Sequence, residues 1–148
     1  MSQIPITPNH MNVYWHDYAG RQKDLPVTQA GLHEKSAFIG RAGLMLLSCG
    51  TGAWRVRSAM NTLAAALSVT CTANIGLLSI DYTCFDGKES VSHSLSLSST
   101  GVNTSKLDRL ERFIKDFAEN GKNLSIEELH LRMDEIEKIR GHYTPLMQ

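Results

Sequence analysis

The chain has 148 residues, of which 42% are hydrophobic and 20% are charged, and its fifteen basic side chains balance fifteen acidic ones. This length is sufficient for one domain that buries most of its apolar surface on folding. Because the net charge is zero, the sequence gives no sign of a basic surface for nucleic acid or for an anionic membrane. We therefore expect a single globular domain and no nucleic-acid partner.

Segments for targeting or membrane crossing are not evident in the sequence. Residues 1–24 lack the continuous apolar core of a signal peptide. The most apolar stretch, Ile39 to Cys49, includes Arg41 and is shorter than the ~20 residues that cross a bilayer. Three cysteines without paired spacing are typical of a reducing compartment. We expect a soluble chain without a signal peptide or a membrane span.

The first segment of the chain, residues 1–27, carries prolines and shows no helical period. We predict a partly irregular N-terminal arm there, followed by one α+β domain over residues 28–148. The aromatic cluster around Trp15 predicts either a short edge strand or a segment that packs on the core.

The centre of the predicted domain is a pair of helices between residues 28 and 69, joined by a glycine corner at Gly50 to Gly52. No charged side chain occurs from Ala42 to Trp54, and a helix that is apolar on all sides must be buried on all sides. Thr28 and Thr51 are the predicted N-caps of the two helices. The second helix has an apolar stripe at helical spacing, formed by Val56, Met60, Leu63 and Leu67.

A twofold period follows and predicts a β-hairpin with strands at about 70–85 and 88–99. Asp86-Gly87 favours a two-residue type I′ turn, which would place Phe85 opposite Lys88. That turn would fix the register of the two strands. The paired strands would then have one apolar face and one hydroxyl-rich face. The predicted cross-strand pairs on the apolar face are Tyr82 with Val91, Ile80 with His93, and Leu78 with Leu95. Because an isolated hairpin is marginal in water, we expect further strands from the arm or from a second copy.

Two more helices are predicted after the strands. Ser105-x-x-Asp108 and Ser125-x-x-Glu128 resemble capping boxes, and Asn120-Gly121 marks the end of the first of these helices. The order of two helices, a hairpin and two helices predicts an α+β fold.

Several short runs in this order resemble the threonine/serine exporter family. They are Arg41-Ala-Gly-Leu-Met-Leu-Leu-Ser-Cys-Gly50, Trp54-Arg55-Val56, Met60, Ala66-Leu67, Gly101-Val102-Asn103 and Leu131-x-x-x-Glu135-Ile136. The resemblance covers residues 36–145, and the run that begins at Arg41 is similar to the start of the hydrophilic N-terminal region of that family. The chain departs from the family at Gly50-Thr51-Gly52-Ala53, where Gly-Ala-Glu-Thr is common, and at Thr100, where an arginine is common.

The resemblance implies a cytoplasmic domain, which in this family precedes a multi-helix membrane domain. Relatives are associated with the export of threonine and serine, and some with small dicarboxylates such as succinate. The implied partner is therefore a membrane domain of the same or another chain, and the implied location is the cytoplasmic side of the cell membrane. The implied role is assembly, gating or ligand sensing without chemistry of its own.

Three residues are candidates for ligand binding. Arg55 follows the glycine corner near a helix N-terminus, which favours anions, and with Arg57 it could hold a carboxylate of an amino acid or of succinate. Asn103, in the Gly-x-Asn run, is the third candidate. The alternative for Arg55 is a surface arginine that holds the corner by hydrogen bonds.

We expect neither a metal site nor a cofactor, because the cysteines and histidines do not have zinc-site spacing. We also expect no enzyme, since the serine-rich strand lacks the Gly-x-Ser-x-Gly signature. A hydrolase that uses the serine face, or His93 with Asp81, is the alternative from a different class. A free-standing oligomerisation module is the other alternative, and we expect a homo-oligomer.

Overall fold

The computed structural model describes residues 24–140, and in this part of the chain four α-helices pack with a three-stranded antiparallel sheet. A short 3₁₀ turn at Val27–Gln29 precedes α1 Leu32–Ser48, α2 Ala53–Ala66, β1 Thr70–Ile75, β2 Ser79–Phe85, β3 Ser90–Ser96, α3 Thr104–Asn120 and α4 Ile126–Glu137. The predicted α+β class and the order of helices, strands and helices are confirmed. The predicted edge strand around Trp15 lies outside the described residues.

Helix α1 lies at the centre of the domain, as its apolar circumference predicted. Every residue from Ala37 to Leu47 is buried, and α1 contacts the sheet as well as α2, α3 and α4. Its glycines allow these close approaches. A Cβ added at Gly40 would overlap the Tyr82 hydroxyl, and one at Gly43 would lie 2.6 Å from the sulfur of Met60.

The two threonines predicted as N-caps do not have that role. Thr28 lies within the 3₁₀ turn, and α1 begins only after Gly31. Helix α2 begins after Gly52, with no side-chain hydrogen bond to its first turn. The Thr51 hydroxyl is buried without a hydrogen-bond partner among the described residues. The predicted stripe of α2 is nevertheless buried throughout: Val56, Met60, Leu63 and Leu67.

The segment 70–85, predicted as one strand, forms two strands that pair with each other. The backbone turns back after Gly76, whose N–H donates to the carbonyl of Ser79 at 2.7 Å. A Cβ at position 76 would lie only 2.8 Å from the Ser79 hydroxyl oxygen. The third strand that a stable sheet requires therefore comes from within this segment, with strand order β1-β2-β3.

The turn between β2 and β3 is longer than predicted. The Asp86 carboxylate accepts hydrogen bonds from the backbone N–H groups of Lys88 and Glu89, each at 2.9 Å. Of the turn residues only Gly87 has a positive φ, +99°, whereas a type I′ turn needs positive φ at both central residues. Because the Asp86 carboxylate binds these two N–H groups, a four-residue connection over 86–89 joins the strands in place of the predicted two-residue turn.

The longer turn changes the register of the hairpin by two residues. Phe85 pairs with Ser90 rather than Lys88, and the predicted partners on the apolar face are all displaced. The observed pairs are Tyr82 with His93, Ile80 with Leu95, and Cys84 with Val91. Because side chains alternate with period two, a shift of two residues keeps each side chain on its predicted face.

The two faces of the sheet are therefore as expected. The face toward the helices buries Ile80, Tyr82, Cys84, Val91 and Leu95. The other face carries hydroxyl groups that bond to one another across the strands. Thr83 and Ser92 hydroxyls lie 2.7 Å apart, and Ser94 donates to the Asp81 carboxylate at 2.6 Å.

Asparagine, rather than the predicted serine, begins α3. The Asn103 side chain accepts from the Lys106 N–H at 3.0 Å, so Ser105 lies inside the helix and the predicted capping box there is wrong. For α4 the predicted N-cap is confirmed, since the Ser125 hydroxyl accepts from the Glu128 N–H at 3.1 Å. Helix α3 ends at Asn120, before Gly121, as predicted.

Candidate functional site

Arg55, the first candidate for ligand binding, lies in the first turn of α2 and points toward α3. Its Nη2 donates to a carboxylate oxygen of Glu111 at 2.6 Å, and the two side chains are 45% and 40% exposed. An exposed ion pair of this kind contributes at most about 1 kcal/mol. The guanidinium therefore has a protein partner, but one that a competing carboxylate can displace at small cost.

Arg57 points away from Arg55, because residues two apart lie on nearly opposite sides of a helix. Its Nε donates to the carbonyl of Ala73 on β1 at 3.3 Å. That bond attaches α2 to the outer edge of the sheet. Arg57 therefore donates to the sheet, whereas Arg55 donates to α3.

Asn103 makes contacts that join three parts of the chain. Besides capping α3, its Nδ2 donates to the carbonyl of Ile139 at 3.2 Å, and its backbone N–H donates to the carbonyl of Cys49 at 3.3 Å. The side chain is buried, with 8% exposure. Asn103 therefore fastens the ends of α1, α3 and α4, and the three candidate residues contact different elements.

A groove between α2 and α3 is the surface on which Arg55 lies. It has a volume of about 440 Å³ and is lined by Trp54, Arg55, Ser58, Ala59, Thr62, Glu111, Ile114, Lys115, Ala118 and Glu119. Small side chains on α2 form its floor at helical spacing, and charged side chains of both signs form its rim. Trp54, at the edge of the groove, is 71% exposed.

A buried charge cluster between α1 and α4 was not singled out from the sequence. Arg41 is 4% exposed, and its Nη1 lies 3.1 Å from Nδ1 of His130 and 3.2 Å from the His130 carbonyl. Its Nη2 donates to Asp134 at 2.6 Å and lies 3.6 Å from a carboxylate oxygen of Glu137. Since arginine can only donate, the Nδ1 of His130 is the acceptor in this contact.

The signal for that cluster was present in the sequence. Arg41 is the single charged residue in the apolar stretch from Ser36 to Trp54, and a charge in such a position is rarely buried without partners. Its partners lie about ninety residues further along the chain. The sequence alone therefore marks the arginine but does not identify what it binds.

His93 and Asp81, the pair named for the hydrolase alternative, are on opposite faces of the sheet. His93 is on the inner face of the sheet, where its ring lies 5.6 Å from that of Tyr82, whereas Asp81 is on the outer face with Ser94. Burial is the main cause that lowers the pKa of His93, with a further contribution from the charge of His33. His93 and Asp81 thus do not form a pair on either face.

Within residues 24–140 no group of three or more histidine, cysteine, aspartate or glutamate side chains is placed to hold a metal ion. His142 lies outside this range. In the same part of the chain, no helix combines the length and the apolar composition that are needed to cross a membrane.

The fold and this surface define a small α+β domain with a groove between two helices. A family model described as "Putative threonine/serine exporter" matches residues 37–148. The chain therefore belongs to the threonine/serine exporter family, as the motifs in its sequence predicted. Neither the curated proteins nor the solved structures contain a significant match to the chain.

Proposed function

We propose that this chain supplies a non-catalytic domain of a threonine/serine exporter, located on the cytoplasmic side of the membrane. We further propose that its role is assembly: the domain docks on the membrane part of the exporter through the α2–α3 groove. The family match supports the link to export. The single observation that carries the docking role is Trp54, exposed to 71% beside that groove.

A large aromatic ring that is exposed in the free domain buries much apolar area when a partner covers it. Interfaces concentrate their binding energy in such side chains, with a rim of polar groups around them. The groove offers that arrangement in part, since the Arg55–Glu111 ion pair and Lys115 lie beside the Trp54 ring and the small side chains that line it.

The docking role is tested by crosslinking in membranes that contain the full-length exporter. A photoreactive phenylalanine derivative replaces Thr62, which lines the groove, and a matched variant carries it at Leu77 in the β1–β2 turn. We expect a crosslink to the membrane part from position 62 and none from position 77. Equal crosslinking from the two positions, or none from position 62, contradicts docking through this groove.

Ligand sensing is the second candidate function, and Arg55 favours it. This residue lines a groove large enough for an amino acid or succinate, and its exposed ion pair with Glu111 can open for a carboxylate ligand. Gating would follow if such a ligand changed the docking of the domain.

Isothermal titration of the folded domain with threonine, serine and succinate separates the two roles. Sensing predicts heat for at least one of them and its loss in Arg55→Gln, with Arg112→Gln as a matched control on α3. Assembly alone predicts no heat for any of the three. Crosslinking and titration are independent, so either role can fail without the other.

A further inference from the structure

Two of the three cysteines lie directly opposite each other on neighbouring strands. Cys71 on β1 and Cys84 on β2 are Cα partners in the antiparallel register, and both side chains point toward the helices. Cys84 is fully buried, whereas Cys71 is half-buried. Cys49, at the end of α1, lies in a different part of the fold.

The hydrogen-bond pattern of the two strands identifies the type of this pair. Gly76 donates to Ser79, so the pairs at even positions of β1 are hydrogen-bonded and the Cys71–Cys84 pair is not. The carbonyl of Ala73 agrees with this, since it points away from β2 and accepts from Arg57. Non-hydrogen-bonded partners bring their side chains closest, with Cα atoms ~4.5 Å apart, within the ~4.4–6.8 Å range of disulfides.

We propose that Cys71 and Cys84 form a redox-modification site, at which a small disulfide such as glutathione disulfide reversibly oxidises the two thiols to a cross-strand disulfide. The site is separate from the α2–α3 groove and does not depend on the proposed docking role. Its direct effect is to fasten β1, the edge strand that packs against α2, to the middle of the sheet.

The reaction proceeds in two thiol–disulfide exchanges. The Cys71 sulfur, which is the more accessible, attacks glutathione disulfide, forms a mixed disulfide and releases one glutathione thiol. The Cys84 sulfur then attacks the Cys71 sulfur, the protein disulfide forms, and the second glutathione leaves as a thiol. The two protein thiols lose two electrons and two protons in total, and these reduce glutathione disulfide to two glutathione molecules.

The two thiols of the reduced pair share a hydrogen bond that shifts their pKa values in opposite directions. The Cys84 pKa is lowered, chiefly because the Cys71 thiol donates a hydrogen bond to its sulfur, although burial opposes this shift. The Cys71 pKa is raised, chiefly by the same hydrogen bond. In the reduced pair Cys84 is therefore the better thiolate. That hydrogen bond ends when Cys71 forms the mixed disulfide, so the second exchange depends on the cross-strand position of the two sulfurs.

The test exposes the folded, purified chain to glutathione disulfide, quenches it with acid, alkylates the remaining thiols and maps the peptides by mass spectrometry. We expect a peptide pair linked through Cys71 and Cys84, with a loss of two hydrogen atoms that dithiothreitol reverses. We also expect the urea midpoint of the oxidised chain to shift upward, because the bond constrains the unfolded state. Absence of the linked pair from the folded chain would overturn the proposal.

Three alanine variants separate the roles of the cysteines, with folding checked by circular dichroism. Cys84→Ala should accumulate a glutathione adduct on Cys71, because the second exchange is blocked. Cys71→Ala should leave the buried Cys84 unmodified. Cys49→Ala, the matched control, should form the disulfide as the wild type does, and a linked pair containing Cys49 in equal yield would contradict the assignment.

Discussion

At the scale of single residues, Arg41 is the side chain whose burial needs the most explanation. A guanidinium that is 4% exposed has lost nearly all its water, and that loss costs several kcal/mol unless partners replace the water. His130 and Asp134 on α4 supply the replacement. Arg41 therefore fixes α4 against the central helix through polar contacts rather than through apolar area alone.

Removal of the acidic partner tests this account. Asp134→Ala leaves the buried Arg41 charge without its nearest counter-ion, so we expect the free energy of unfolding to fall by about 3 kcal/mol. Asp108→Ala is the matched control, because Asp108 pairs with Arg112 at the same 2.6 Å but on the surface. That change should cost less than about 0.5 kcal/mol. Urea unfolding measures both, and equal effects would contradict the account.

His93 makes the stability of the domain depend on pH. Its folded pKa is lowered, first by burial and then by the charge of His33. Stability is thus complete above the unfolded pKa of about 6.5 and falls below it, because the unfolded chain takes up the proton first. The loss stops once the pH is below the folded pKa.

Urea midpoints measured from above to below pH ~6.5 test this effect. The wild type should lose more stability over that interval than His93→Gln does. His33→Gln, a change at an exposed position, should remove only the smaller contribution. If wild type and His93→Gln had parallel pH profiles, the half-buried His93 would not be the cause.

At the scale of the elements, sequence patterns predicted the existence of the helices and strands more accurately than the residues at which they begin. The apolar circumference of α1 and the buried stripe of α2 depend on many residues, so single errors do not change them. A cap or turn depends on one hydrogen bond, and several nearby side chains can make it. Asn103 precedes Ser105 by two residues, and either type can cap a helix.

A pair of alanine variants distinguishes the two caps. Asn103→Ala removes the bond to the Lys106 N–H and also the bond to the Ile139 carbonyl, so it should cost about 1–2 kcal/mol of unfolding free energy. Ser105→Ala should change little. Urea unfolding gives both free energies. A larger loss in Ser105→Ala than in Asn103→Ala would support the capping box predicted from the sequence.

In the strands too, the sequence pattern predicted the faces but not the local hydrogen bonds that form the turns. Alternation alone identified both faces of the sheet correctly, because a register shift of two residues leaves the faces unchanged. It did not reveal that Gly76 turns the chain inside 70–85, nor that the Asp86 carboxylate lengthens the next turn. Both turns depend on local hydrogen bonds, which the alternation of apolar and polar residues does not reveal.

At the scale of the whole molecule, the fold surrounds one apolar helix and leaves a tryptophan on the surface. The sequence identified that helix and the exporter family, but it did not identify the groove. The groove depends on how α2 and α3 lie side by side, and these helices are separated in the chain by the whole sheet. The expected homo-oligomer stays a prediction, for which light scattering of the full chain is the measurement.

The most direct test of the central claim is export of radiolabelled threonine by cells that depend on the full-length exporter containing this domain. Trp54→Ser removes the exposed ring, and Leu77→Ser is the control, because Leu77 is 84% exposed in the β1–β2 turn. The account predicts that Trp54→Ser lowers export at an unchanged protein level and an unchanged urea midpoint, while Leu77→Ser exports as the wild type does. Wild-type export by a correctly folded Trp54→Ser variant would contradict it.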